Sequence, residues 1–347
     1  MKRHLLVWAV IIVAFVGLLL YPSGSGSRPE IPQNSDELKS LLEKVGPIEA
    51  QEIMLRSGLP FTGQTHLLIH TVGDYVYRKF GPAGLPYCRD YFLSACYHGF
   101  ILNTLGDSGL PGMAEVIEIC KSNGPGVLPQ CVHGAGHGFV AWHDYDLLKA
   151  LLMCDELSGK DPDFPAFNCY DGVFMENLWG VHNGVPSEKR WIKEDDIYYP
   201  CNNPSIPEKY LRGCWSNQAT LIYQRYKGDL RKTALACDAV EKLEYRDTCY
   251  NNFARQIHPL TEGKIAKVFS LCATATGKAR QDECLLVNIN AYWSVGDREL
   301  PFRICSATGE LKEKCFKQLA GMIDYYYGAK PAEKEKYCAK IPSKCLE

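Results

Sequence analysis

The sequence predicts an all-α protein: a disulfide-stapled α-solenoid of helix–turn–helix repeats. Three observations predict it. Sixteen cysteines fall into eight consecutive pairs that recur every 30–45 residues. The apolar residues around them recur at helical spacing. Alternating runs of the kind that form half-buried strands are scarce.

The cysteines stand at 88, 96, 120, 131, 154, 169, 201, 214, 237, 249, 272, 284, 305, 315, 338 and 345. Taken in consecutive pairs, they are separated by 8, 11, 15, 13, 12, 12, 10 and 7 residues. A fixed period in this range is the signature of a stacked helical array. The first cysteine of a pair often ends a short helical pattern. Asp146 to Cys154, Asp229 to Cys237 and Asp297 to Cys305 share one spacing, and Asp is a good helix N-cap. The second cysteine opens a longer aromatic-rich stretch, as in Cys96-Tyr97-His98-Gly99-Phe100 and Cys169-Tyr170-Asp171-Gly172. Each bridge is then expected to pin the end of one helix to the start of the next. For loops of this size a bridge contributes about 2–4 kcal/mol. A thin two-helix unit needs such staples. The even count suits an exported chain, and the absence of any C-x-x-C disfavours structural zinc of the finger type.

Upstream of the first pair, Ser35-Asp36-Glu37-Leu38 opens one helix and Pro47 suits the first turn of the next. Residues 62–80 resemble a second helix without its cysteine. The repeats are expected to be His-rich over 35–200. Over 201–347 the same solenoid continues with amides and aromatics, ending in a polar cap at 331–347. A pair of compact domains meeting near Pro200, Pro204 and Pro207 is the alternative. At the start, Lys2, Arg3 and His4 precede an uncharged run from Leu5 to Tyr21. Residues 1–21 therefore read as a signal-anchor holding the protein in the membrane, or as a signal peptide that is cleaved to leave a secreted chain. Residues 22–34 read as a flexible linker. The body is expected to be extracytoplasmic.

Composition excludes several classes. With 22% charged residues and a net charge of −2, no basic face for nucleic acid is implied. A hydrophobic content of 46% excludes a largely disordered chain. There is no P-loop, no G-x-S-x-G elbow and no H-E-x-x-H.

The histidines carry the chemistry. Counting the second cysteine of each repeat as zero, position +2 is His98, His133, Asp171, Ser216, Asn251, Leu286 and Lys317. His137 stands at +6. The cysteine-less helix fits the frame with His66 at +2 and His70 at +6. Residues four apart share a helix face, so each His-x-x-x-His points both rings one way. Neighbouring helices lie about 8–10 Å apart, which two imidazoles span. His133, His137 and Asp171 would form a two-His, one-carboxylate set, with His66, His70 and His98 as a three-His set nearby. Three protein ligands and one open position is the arrangement of a catalytic metal site. Glu176 is the catalytic candidate, as a fourth ligand or as a general base on metal-bound water. His143 and Asp144 are candidates for an outer pair. Gly99, Gly134, Gly136, Gly138 and Gly172 interleave these residues at a cost of about 1 kcal/mol each in a helix, which suggests close helix approach. A hydrogen-bonded core cluster and a pH-sensing cluster are the blander readings.

From Cys201 the inner frame turns to Asn217, Gln218, Asn251, Asn252, Arg255, Gln256, Asn288 and Asn290. Such a row suits a peptide, protein or glycan on a concave face. The period and layout resemble tetratricopeptide-type helical arrays. Their repeat consensus is absent, so no functional residue carries over. Histidines on consecutive repeat helices are similar in placement to those of HEAT-repeat di-iron hydroxylases, whose His-Glu dipeptides are absent here. Two function classes follow. One is an exported metalloprotein with a divalent transition metal (iron, zinc or copper), extending to a metalloenzyme that activates water or oxygen. The other is a non-catalytic scaffold for a protein partner.

Overall fold

The computed structural model describes residues 31–59, 63–123, 126–160, 164–180, 188–328, 331–342 and 345. The expected anchor or signal (1–21) and most of the linker lie outside them. Among the described residues there are fifteen α-helices and no strand. None of those helices is long and apolar enough to cross a membrane.

The helices are α1 Ser35–Val45, α2 Pro47–Arg56, α3 Gly63–Phe80, α4 Tyr91–Ser122, α5 Val127–Trp142, α6 Leu147–Lys160, α7 Ala166–Trp179 and α8 Glu208–Arg225. They continue as α9 Leu230–Asp238, α10 Leu243–Ile257, α11 Ile265–Cys272, α12 Lys278–Ser294, α13 Leu300–Ala307, α14 Lys312–Tyr327 and α15 Pro331–Cys338. The local signals explain their ends. Asn34 caps α1, accepting from the amides of Asp36 and Glu37. Pro47 occupies the first turn of α2. Asp229 Oδ1 accepts from the Lys232 amide at 2.9 Å and caps α9. Asp297 departs from that pattern. It accepts from the amides of Glu299 and Leu300, ahead of α13. α4 joins the second helix of one repeat to the first helix of the next across a break at Gly109, where φ is 55° and Pro111 follows.

All sixteen cysteines are paired consecutively, with Cα–Cα distances of 5.3–6.5 Å, within the ordinary range. One detail differs from expectation. The second cysteine does not open its helix but lies about one to two turns inside it, as Cys249 does in a helix that starts at Leu243. A bridge between packed helices has to leave from the interface, which the first turn has not yet reached. The repeat frame holds in the core as well. Position +4 after the second cysteine is buried in seven successive repeats: Phe100, Ala135, Val173, Gln218, Phe253, Asn288 and Leu319.

The long helices pack on each other in chain order, α3 on α4, α4 on α5, α5 on α7, α7 on α8, α8 on α10 and α10 on α12. Residues 33–347 form one compact unit, with no division at Pro200–Pro207. The late repeats also return to the early ones. Arg298, partly buried over the Trp293 ring, pairs with Asp90 at 2.9 Å. Gly126 lies against Tyr325 and Tyr326, and Gly296 against Leu55. The cysteine spacing is local and carries no information on such long-range contacts, so they were not expected.

Two outcomes check this account. Peptide mapping without reduction is expected to return the eight consecutive bridges, and a link between repeats would contradict it. Burial pushes the His258 imidazole, packed 4.5 Å from the Tyr292 ring, down to about 4 against the opposing pull of Asp297. The unfolded chain therefore binds the extra proton first. Stability present above the ordinary value of 6.5 is lost as pH falls from there toward 4, by up to about 3 kcal/mol. Melting curves between pH 7.5 and 4.5 should show His258→Gln losing less stability than the parent.

Candidate metal centre

Two helix crossings build the site. A Cβ on Gly99 would stand 2.1 Å from the His70 carbonyl oxygen, and one on Gly73 would stand 2.1 Å from that of Cys96. The second crossing repeats the pattern. A Cβ on Gly172 would stand 2.1 Å from the His133 carbonyl oxygen, and one on Gly136 the same distance from that of Cys169. Backbone meets backbone at both places, so only glycine fits. Gly134, facing the edge of His98, brings α4 and α5 together. Of these glycines, Gly73 was not singled out by the sequence.

Five histidines converge as a result. One nitrogen from each of His66, His70 and His98 lies within 4.8 Å of the other two, and the same holds for His98, His133 and His137. His98 belongs to both groups. His66 Nδ1 lies 2.7 Å from the Phe92 carbonyl oxygen, and His66 Nε2 lies 3.2 Å from His98 Nδ1. His137 Nε2 and His133 Nε2 face each other at 3.1 Å.

Asp171 and Glu176 stand behind the rings. Asp171 Oδ2 is 3.2 Å from His133 Nδ1, while its Oδ1 accepts from Ser216 Oγ and from Asn217 Nδ2. Glu176 Oε2 is 2.9 Å from His137 Nδ1, and its Oε1 accepts from the Tyr145 hydroxyl at 2.6 Å. Asp171 is in neither three-histidine group, which differs from the ligand role expected of it. Glu176, expected as a general base or ligand, has both oxygens engaged with His137 and Tyr145. The cause is reach. Each carboxylate sits one helix further along than the rings and meets their outer nitrogens first. Tyr145 and the Phe92 carbonyl carried no sequence signal, because each comes from a different element; Asn217 was expected in a concave amide row, not beside Asp171. His143 and Asp144 do not join the cluster. His143 lines an apolar cavity with Leu105, Phe139 and Trp142, and Asp144 pairs with Lys189.

The proton inventory follows. An ionised carboxylate only accepts, so His133 and His137 carry their protons on Nδ1. A backbone carbonyl likewise fixes the proton of His66 on Nδ1. Then His66 Nε2 accepts from His98 Nδ1–H, and His98 Nε2 is left as a bare lone pair. That atom is buried and has no hydrogen-bond partner among the described residues. Burial drives His98 well below the usual imidazole range, and the surrounding rings push the same way. Burial also takes His66 down to about 4 against the lift from the Phe92 carbonyl. Burial raises Asp171, but the bond from His133, the charge of Arg255 and the bond from Ser216 outweigh it and hold the carboxyl at about 2. His133 Nε2 and His137 Nε2 stand 3.1 Å apart, and one nitrogen of His98 lies within 4.8 Å of a nitrogen of each, so these three histidines could hold a metal ion.

The amide row serves the fold. Asn217 Nδ2 donates to the Asp171 carbonyl, Asn252 Oδ1 accepts from the Thr220 amide at 2.8 Å, and Asn288 Nδ2 donates to the Ala254 carbonyl at 3.1 Å. These three are buried and tie each helix to the one before.

Fold and site together define an all-α, disulfide-rich protein with a buried histidine cluster backed by two carboxylates. Compared with known proteins, the chain matches no family model, no curated protein and no solved structure.

Removing the Asp171 carboxylate leaves His133 Nδ1 without its buried acceptor, while Ser216 Oγ keeps the Gly213 carbonyl at 2.7 Å and Asn217 Nδ2 keeps the Asp171 carbonyl at 3.1 Å. Asp171→Ala is expected to cost about 1–3 kcal/mol of stability, the range for a buried group left unpaired. A urea titration that finds no change in midpoint would contradict the network.

Proposed function

We propose that the protein is an exported metalloprotein that holds a divalent transition metal on the Nε2 atoms of His98, His133 and His137. The observation that carries this reading is the 3.1 Å approach of His133 Nε2 to His137 Nε2, with both opposite nitrogens turned to carboxylates. Metal–nitrogen bonds of about 2.0–2.1 Å put two tetrahedral ligands about 3.3 Å apart. Asp171 and Glu176 act as the carboxylates that fix tautomer and ring orientation behind metal-bound histidines. Three imidazoles without a thiolate or a direct carboxylate favour zinc or copper over iron, whose two-His set would need Asp171 on the ion.

Three ligands leave a fourth position for water, oxygen or a substrate group. The catalytic form of the reading is activation of that water or oxygen. The eight disulfides support an oxidising compartment. Residues 5–21 supply the export signal, and they hold the chain at the membrane where they are retained.

The test is elemental analysis of residues 28–347, purified oxidised and without chelator, beside His133→Ala/His137→Ala. The expected result is at least one equivalent of zinc or copper in the parent and loss of an equivalent in the double variant. A parent that holds no metal, even after soaking with Zn²⁺ and Cu²⁺, would overturn the reading.

A further inference from the structure

The imidazole of His98 has two nitrogens, and they serve different neighbours. Nδ1 faces α3, 3.2 Å from His66 Nε2. The opposite edge of the ring faces α5, where a Cβ on Gly134 would lie 3.4 Å from His98 Cδ2. The buried, unpartnered Nε2 adjoins that edge. The ring centroid of His98 lies 5.1 Å from that of His66 and 5.6 Å from that of His70 on one side. It lies 5.2 Å from that of His133 and 4.7 Å from that of His137 on the other. Among the described residues, His98 is the member shared by both three-histidine groups.

We infer that the cluster is a two-ion centre bridged by His98, with Nε2 on the ion of His133 and His137 and Nδ1 on a second ion held by His66 and His70. The inference rests on the metal reading above and extends it to a second site. The separation of 3.2 Å between His66 Nε2 and His98 Nδ1 matches the edge of a tetrahedral site as closely as the 3.1 Å of the first pair does. His66 is oriented for this task. The Phe92 carbonyl takes its Nδ1 proton and turns Nε2 inward, as Asp171 and Glu176 do for the first site. In the one-ion state the proton on His98 Nδ1 bridges to His66. The second ion displaces that proton to solvent, and the ring becomes an imidazolate. Two dications bridged this way stand about 6 Å apart. The negative ring between them offsets part of their repulsion, which matters in a group that has no carboxylate ligand of its own.

Copper distinguishes the outcomes, because two Cu²⁺ ions across an imidazolate couple magnetically. Oxidised protein is loaded with Cu²⁺ alone, freed of excess, and read by elemental analysis and by electron paramagnetic resonance at liquid-helium temperature. The expected result is two ions per chain, with a signal far below two spins. In His66→Gln/His70→Gln, one ion per chain with a full one-spin signal is expected. One ion in the parent, with full spin intensity, would overturn the bridge and leave the first site standing. Two ions giving two uncoupled spins would overturn the bridge as well. No bound copper would overturn the bridge and leave the one-ion reading to the zinc arm of the elemental analysis. If the double variant fails to fold by circular dichroism, the parent's stoichiometry and spin count decide alone.

Discussion

At Gly73 against Gly99, and at Gly136 against Gly172, helices touch with no space for a side-chain carbon. This approach sets everything that follows at the site. Helices held apart by ordinary side chains pack at about 8–10 Å; at these crossings backbone meets backbone instead, which draws the rings on their faces closer together. With the spacers removed, rings on α3, α4 and α5 reach one another, and Asp171 and Glu176 on α7 reach the backs of two of them. The helices tolerate the conformational cost of glycine because the crossing is stapled nearby, by Cys88–Cys96 beside the first and Cys154–Cys169 beside the second.

A single polar column runs through the molecule at one frame position. His66, His98, His133, Asp171 and Ser216 occupy position +2 of successive long helices, and hydrogen bonds or ring contacts join each to the next. Beyond Ser216 the inter-helix slots are filled by amides. Asn252 and Asn288 bond the backbone of the preceding helix, Asn288 through its Nδ2 while its Oδ1 stays buried without a hydrogen-bond partner among the described residues. One architecture therefore holds two solutions to the same problem of polar groups buried between helices. The amide solution binds backbone groups directly. The histidine solution is satisfied only when a proton or a cation is shared among the rings.

The helices and their staples were legible from the sequence. Cysteine spacing alone gave the consecutive pairing, since bridges 7–15 residues apart are local. Helical identity followed from caps such as Asp229 and from apolar periodicity. The +2 and +6 frame put His66, His70, His98, His133 and His137 together, because a residue's face on a helix depends only on its position in that helix. The glycines near them pointed to close packing for the same reason.

What the sequence could not give depends on which helix meets which, and at what depth. Asp171 shares the frame position of the histidines, yet its carboxylate lies behind His133, because the α5–α7 crossing slides it past the ring's inner edge. Tyr145 reaches Glu176 from the turn after α5, and Phe92 offers its carbonyl to His66 from a left-handed turn (φ 53°). Neither has a periodicity to reveal it. The pairing of Arg298 with Asp90 joins residues more than two hundred positions apart, which no local spacing reveals. Local spacing thus determined the staples, the helices and the five rings. Only the tertiary structure decided which nitrogen of each ring faces inward, because that orientation is set by partners contributed from other helices.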